Sequence, residues 1–414
     1  MTHMDEQTKQ WLLEAEQHAA RQEVEQAAST YQQVLQHAPT ESKAILGLAK
    51  LARLLRQFDS AKLLVAQALE HTPTSAEAWL VKGSIAEAEE DMEAALAAYK
   101  QAVTLDGEHA QALLQYGRAL AVSGRYEDSF KYLLKATQLA PEQVDAFYAL
   151  GTSYFYGEEH GPALEAFLRT IELDPTFLDG YLTIADVLVA CKRFGEAKKI
   201  LQQAEALFPH ATLVLEKLSA VYLCEGDIDT AMLYLQRQLH HEPEHLGAYL
   251  NLGALSRLRG DLQTAFKIGE HLVEHAPHRW EGHYHMGSIY EAAQKDDEAK
   301  ACYRKAAKLA PRQWRPLNNL GYILNSEGGR RQWMEAEEVL CRACSLCPVD
   351  EPRPFYNLAL TQFNLEKYAA AQESCRQLLQ ILPETHELRA DTERLLTTLN
   401  TQQSTPQPLM QTLP

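Results

Sequence analysis

The sharpest chemical signature in the chain is Cys341-x-x-Cys344-x-x-Cys347-Pro348. Thiolates at such intervals in a loop can share one zinc ion or iron–sulfur cluster. On an α-helix the same spacing rotates successive sulfurs by about 60° and spreads them, so the chemistry depends on the element that carries the run. A second signature, His271-Leu272-Val273-Glu274-His275, matches the H-x-x-E-H pattern of zinc peptidases. It sets two imidazoles one turn apart, with a carboxylate that could serve as base.

Other groupings carry weaker chemistry. His278, His283 and His285, with His240, His241 and His245 before them, form a histidine-rich stretch able to gain charge below neutral pH. Arg312, Arg315, Arg330 and Arg331 make a basic locality in a chain whose formal net charge is -17. No glycine-rich phosphate loop, nucleophile elbow or carboxylate pair stands outside the periodic segments. No catalytic residue is therefore assigned, and the chain is expected not to be an enzyme. Its acidity repels phosphate backbones and anionic lipid, which makes nucleic acid a poor partner. No apolar run approaches the roughly 18 residues of a membrane span. Seven cysteines, an odd number, lack the spacing of a secreted disulfide framework. A cytoplasmic chain without direct membrane insertion is the expectation.

A repeat positions these groups. Pro39, Pro73, Pro141, Pro175, Pro209, Pro243, Pro277 and Pro311 are separated by 34 residues or twice that, and Gly107 fills the skipped slot. A fixed period of that length marks a solenoid. With the proline counted as the thirty-second residue, the eighth is small: Gly83, Gly117, Gly151, Ala185, Gly253, Gly287 and Gly321. So is the twentieth: Ala27, Ala61, Ala95, Ala163, Ala197, Ala231, Ala265 and Ala299. Small residues there let two antiparallel helices cross closely. Large residues at the fourth, seventh and eleventh positions (Phe147, Leu150, Tyr154) and at the twenty-fourth (Tyr31, Tyr99, Phe167, Tyr303) give each helix one apolar stripe. Gly124, Gly226 and Gly260 suit a left-handed turn inside the hairpin, and the proline ends its second helix.

At these positions the chain resembles the tetratricopeptide repeat (TPR) family, over about residues 8 to 385. The resemblance implies an all-α fold, an α-α superhelix or solenoid of about eleven hairpins. Their expected bounds are 8–41, 42–75, 76–109, 110–143, 144–177, 178–211, 212–245, 246–279, 280–313, 314–350 and 352–385. In the tenth, Gly328-Gly329-Arg330-Arg331 reads as a lengthening of the inter-helix turn by three residues, with the register resuming at Ala336 and Ala371. Residues 386–399 set Leu388, Leu395, Leu396 and Leu399 near one face and predict a capping helix. Residues 400–414 have too little apolar content to offset chain entropy and predict a disordered tail. In this register both metal signatures fall on second helices. No metal ligand and no cofactor is assigned, and a metal or redox module on Cys341, Cys344 and Cys347 stands as the rival reading.

The resemblance also implies a function: a scaffold or adaptor that holds peptide segments or partner helices in a concave groove of first helices and supports assembly of a multiprotein complex. It implies that the second, fifth, sixth, ninth, twelfth and thirteenth positions face that groove. At the sixth, the later repeats read Lys217, Asn251, His285, Asn319 and Asn357, the first three Leu13, Gly47 and Val81. A row of amides can pair with any peptide backbone, and this one looks like the asparagine ladder of the O-linked N-acetylglucosamine transferase repeats. Arg315 with Asn319, and Arg353 with Asn357, are partly similar to chaperone-binding clamps. Glu387 and Asp391 stand where such a clamp needs basic residues, which argues against a true clamp. Tyr148, Phe155 and Tyr156 predict an apolar patch further back in the groove. Polar recognition is thus expected in the last five or six repeats, and docking or self-association in the first. A structural protein that self-assembles by end-to-end stacking is a third reading.

Overall fold

The computed structural model describes residues 6–348 and 350–404, and among them the α-helix is the only regular element. The chain divides into two compact units, Met1–Lys217 and Leu218–Pro414. The first unit runs through α1 (Glu6–Ala20), α2 (Val24–His37), α3 (Ser42–Leu54), α4 (Phe58–His71), α5 (Ala76–Ala88), α6 (Met92–Leu105), α7 (Ala110–Val122), α8 (Tyr126–Leu139), α9 (Val144–Tyr156), α10 (His160–Leu173), α11 (Leu178–Ala190) and α12 (Phe194–Leu207). The division falls inside α13 (Thr212–Cys224). The second unit continues with α14 (Ile228–His241), α15 (Leu246–Leu258), α16 (Leu262–His275), α17 (Trp280–Ala292), α18 (Asp296–Leu309), α19 (Trp314–Glu327), α20 (Arg330–Leu346), α21 (Arg353–Asn364), α22 (Tyr368–Ile381) and α23 (Glu387–Ser404). Within each unit successive helices pack as antiparallel hairpins, and each hairpin lies against the next. No helix among the described residues is long and apolar enough to cross a membrane.

The closeness of each hairpin follows from its small residues. The alanines at the twentieth position, Ala27 through Ala299, have no exposed surface, and the same holds for Ala336 and Ala371. A Cβ added at the eighth-position glycine would strike the side chain at the twenty-fourth: Gly83 meets Tyr99 at 2.5 Å, Gly151 meets Phe167 at 2.7 Å and Gly287 meets Tyr303 at 2.6 Å. The large ring therefore sits where a Cβ is missing, and the hairpin is fixed by that fit. Some helix starts are satisfied by side chains. Asp91 accepts from the Ala94 N–H at 3.0 Å, and His245, one of the histidine-rich stretch, accepts from the Ala248 N–H through Nδ1 at 3.0 Å.

The turn inside each hairpin except the tenth places one residue in the left-handed region. Gly124, Gly226 and Gly260 have φ of 75°, 83° and 85° there. Gln22, Arg56, Glu90, Glu158, Lys192, Gln294 and Glu366 occupy the equivalent position with φ from 58° to 65°. A side chain in that conformation costs about 1–2 kcal/mol, against about 0.5–1 kcal/mol for the extra unfolded-state freedom of glycine. Lys192→Gly is thus expected to raise stability by about 0.5 kcal/mol in urea unfolding, and a loss of stability would contradict this account of the turn.

Two expectations need correction. The three extra residues of the tenth repeat do not lengthen its turn. Helices α19 and α20 have 14 and 17 residues where α17 and α18 have 13 and 14, and only Gly328 and Gly329 lie between them. Two glycines with φ of 76° and 97° reverse the chain in fewer residues than usual, which leaves the insertion free to gain helical hydrogen bonds. The Trp333 indole N–H donates to the Asn325 carbonyl at 3.2 Å across this turn. The second correction concerns the C-terminus: α23 runs on to Ser404, so residues 400–404 are helical, while 405–414 lie outside the described residues. Leu395 and Leu399 of α23 are buried against Ala359, Ala371 and Cys375, with Leu396 partly buried beside them.

Candidate functional site

In the first unit, helices α3, α5 and α7 enclose a cleft of about 530 Å³. Helix α5 forms its floor through Glu77, Leu80, Val81, Ser84, Glu87 and Ala88, which are the second, fifth, sixth, ninth, twelfth and thirteenth residues of their repeat. Helix α3 adds Lys50 and Arg53 on one side, and α7 adds Gln111, Gln115 and Arg118 on the other. Both carboxylates are occupied. Glu77 pairs with Lys50 at 2.5 Å and lies 3.4 Å from His109, and Glu87 accepts from the buried Tyr99 hydroxyl at 2.6 Å. Burial, then the Glu87 carboxylate, holds the Tyr99 pKa above its usual value, while Arg53 and Arg118 both act against that rise. Neither arginine stands in an ion pair among the described residues, and Arg53 Nε is buried without a partner.

These residues were legible in principle, because the ninth and twelfth positions of each repeat carry them. Attention to the sixth position alone passes over Lys50, Arg53 and Arg118. In the second unit, the sixth position proves heterogeneous. Asn251 is exposed. Asn319 is half-buried and donates through Nδ2 to the Tyr303 and Tyr284 hydroxyls at 3.2 and 3.4 Å, while its Oδ1 accepts from Asn318. Asn357 donates to Asn318 Oδ1 at 2.9 Å. The donors of these two amides are thus spent on neighbouring repeats. In the first unit Lys217 is held by Asp186 at 2.5 Å.

His285 departs from the expected groove face: it is 6% exposed. The twenty-fourth residue of the preceding repeat is Gly269, so no ring from α16 covers Gly253, where a Cβ would meet Ile268 of that helix at 3.1 Å. The His285 imidazole lies on Gly253 and the Met286 thioether on Gly269, each filling the space. Burial first, and Arg257 second, push the His285 pKa down to about 4, and its Nε2 has no hydrogen-bond partner among the described residues.

Arg315 and Arg353 converge on one ring, their guanidinium carbons 5.4 and 5.8 Å from the Trp314 centroid. Arg353 is also held by both oxygens of Glu351, at 2.7 and 2.8 Å, so its charge is matched locally. The aromatic group lies partly inside the fold. Tyr148 is half-buried against Phe167 and Phe177, with centroids 5.6 and 5.0 Å away. Phe155 contacts Tyr156 at 5.5 Å, and Tyr156, 61% exposed, stacks on Tyr126 of the previous repeat.

The metal signatures resolve as helix surface. Cys341 and Cys344 lie on α20 and Cys347 caps it, its thiol donating to the Cys344 carbonyl at 3.5 Å. Burial raises all three thiol pKa values, that of Cys344 to about 12, which disfavours the thiolate that a metal needs. His271 and His275 have ring centroids 4.0 Å apart on α16, with Tyr249 4.4 Å from His271. Burial, then His275, lowers the His271 pKa. Among the described residues no three His, Cys, Asp or Glu side chains come together as a metal site.

An all-α stack of helical hairpins with a first-helix cleft defines a repeat protein of the kind that binds other proteins. Sequence profiles described as tetratricopeptide repeat match residues 18–85, 90–144, 114–177, 280–313 and 352–385. The chain belongs to the tetratricopeptide repeat family. Its fold is similar to that of yeast Tom70, which aligns over 96% of this chain and 96% of its own at 13% identity, with a TM-score of 0.56. PilF of Pseudomonas aeruginosa is 23% identical over 52% of this chain and 96% of its own, with a TM-score of 0.44. The APC/C hetero-tetramer Cut9–Hcn1 supplies a chain that is 13% identical over 96% of each, with a TM-score of 0.46. A search of the curated proteins finds no match.

Proposed function

We propose that this chain is a non-catalytic scaffold of the cytoplasm, which binds segments of other proteins along its first helices and so supports assembly of a multiprotein complex. The observation that carries this reading is the cleft between α3, α5 and α7, where the buried Leu80 and Val81 form an apolar base and Lys50, Arg53, Ser84, Gln111, Gln115 and Arg118 present polar groups around it. A cleft with polar groups converging on a partly apolar floor is the usual form of a binding site. The net charge of -17 favours basic or neutral protein surfaces over nucleic acid as partners. In the second unit Asn251, Arg315 and Arg353 remain exposed and are the side chains there through which contacts would be made.

The test is photo-crosslinking in cells with a reactive amino acid at Ser84, on the cleft floor, or at Lys100, on the exposed face of α6. Discrete protein adducts are expected at Ser84 and far fewer at Lys100. Adducts at both in equal yield, or none at Ser84, would refute a cleft that receives partners.

A further inference from the structure

Four observations on one cleft point to the chemistry of its ligand. Lys50, Arg53 and Arg118 bring three cations to its walls, in a chain whose formal net charge is -17. The two carboxylates present are taken, Glu77 by Lys50 and Glu87 by Tyr99. Two guanidinium groups on opposite walls have no ion-pair partner among the described residues, and one of them has a buried nitrogen that bonds nothing. Finally, exposed apolar side chains follow them in sequence, just outside the residues that line the cleft: Leu54 comes directly after Arg53 on α3, and Val122 one turn beyond Arg118 on α7.

Neither guanidinium has an ion-pair partner among the described residues, and a guanidinium binds a planar carboxylate through paired N–H groups. A neutral amide supplies an oxygen but no charge. Leu54 and Val122, 59% and 72% exposed, would be covered by aliphatic side chains flanking that carboxylate. Resting on the scaffold reading above, we infer that the cleft selects an extended segment of a partner protein that carries a glutamate or aspartate side chain next to aliphatic residues. Arg53 and Arg118 hold the carboxylate, Gln115 offers its amide to the segment backbone, and Leu54 and Val122 receive the flanking side chains. The site differs in unit and in residues from the amides and arginines of the last repeats.

The experiment uses the full chain and two labelled peptides of about twelve residues, both blocked at each end. One repeats Ser-Glu-Leu-Ser and the other repeats Ser-Gln-Leu-Ser, and binding is read by fluorescence anisotropy. The glutamate peptide is expected to bind at least about tenfold more tightly, since a hydrogen bond to a charged group is worth more than one to its neutral isostere. That preference is expected to vanish in Arg53→Gln/Arg118→Gln, to survive in Asn319→Ala/Asn357→Ala, and to shrink as salt rises. Should the double variant melt early, Arg118→Gln alone serves, because Arg118 is exposed. Equal binding of the two peptides, no binding of either, or an unchanged preference in the arginine variants overturns the inference. Adducts at Ser84 together with equal peptide binding would leave the scaffold reading standing and remove only the carboxylate selectivity.

Discussion

Acidification from pH 7 to pH 4 is expected to remove about 3 kcal/mol of stability from the second unit through one side chain, His285. In the unfolded chain its imidazole takes up a proton near pH 6.5, whereas in the fold burial and Arg257 delay that to about pH 4. The folded pKa is depressed, so the stabilisation is fully present above about pH 6.5 and declines as pH falls toward 4. Nothing nearby offers relief: Nε2 has no acceptor, and the charge facing it is the guanidinium of Arg257. The measurement is urea unfolding at pH 7 and pH 4.5 for the wild type and for His285→Leu. Every other ionisable group is common to both proteins, so the difference between the two slopes isolates His285. If the leucine variant loses as much stability on acidification as the wild type, the explanation fails.

Tyr303→Ala carries the other large expected effect, a loss of about 3–5 kcal/mol from the cavity alone. The Tyr303 side chain has no exposed surface, and its ring lies where Gly287 lacks a Cβ. Its hydroxyl donates to Glu291 at 2.6 Å and accepts from Asn319 at 3.2 Å, while its ring stands 5.7 Å from Tyr284. Tyr303→Phe keeps the ring and removes only the hydroxyl, so it is expected to cost about 1–2 kcal/mol. Because a repeat touches chiefly its neighbours, the loss should appear as faster amide exchange in α17 to α20 while α1 to α6 stay protected. A uniform loss of protection, or an alanine variant no worse than the phenylalanine one, would show that the ring does not hold this hairpin. Tyr99, Gly83 and Glu87 form the same arrangement in the first unit, with the hydroxyl again 2.6 Å from the carboxylate.

The groups that looked reactive as sequence lose that character once their element is known. Cys341, Cys344 and Cys347 sit on or at the end of one helix with raised thiol pKa values, and His271 and His275 are neighbours on α16. Their spacing is a helical spacing first. The same holds for His245, which spends its ring nitrogen on a helix N-terminus.

The sequence by itself determined the hairpin, since the 34-residue period, the alanines at the twentieth position and the left-handed glycines of the turns are local requirements of two helices crossing closely. It also determined the hydrophobic face of α23, because Leu395 and Leu399 fall on one side of any helix. Only the tertiary structure decided what each groove position does. His285 is buried because a different repeat lacks a ring at Gly269, and the Asn319 amide is consumed by tyrosines of the preceding repeat. Arg53 and Arg118 stand in the cleft without an ion pair among the described residues, while its carboxylates are engaged elsewhere, Glu77 by Lys50 and Glu87 by the Tyr99 hydroxyl. These facts join residues 12 to 35 positions apart, and a side chain's availability depends on what its neighbours have already satisfied.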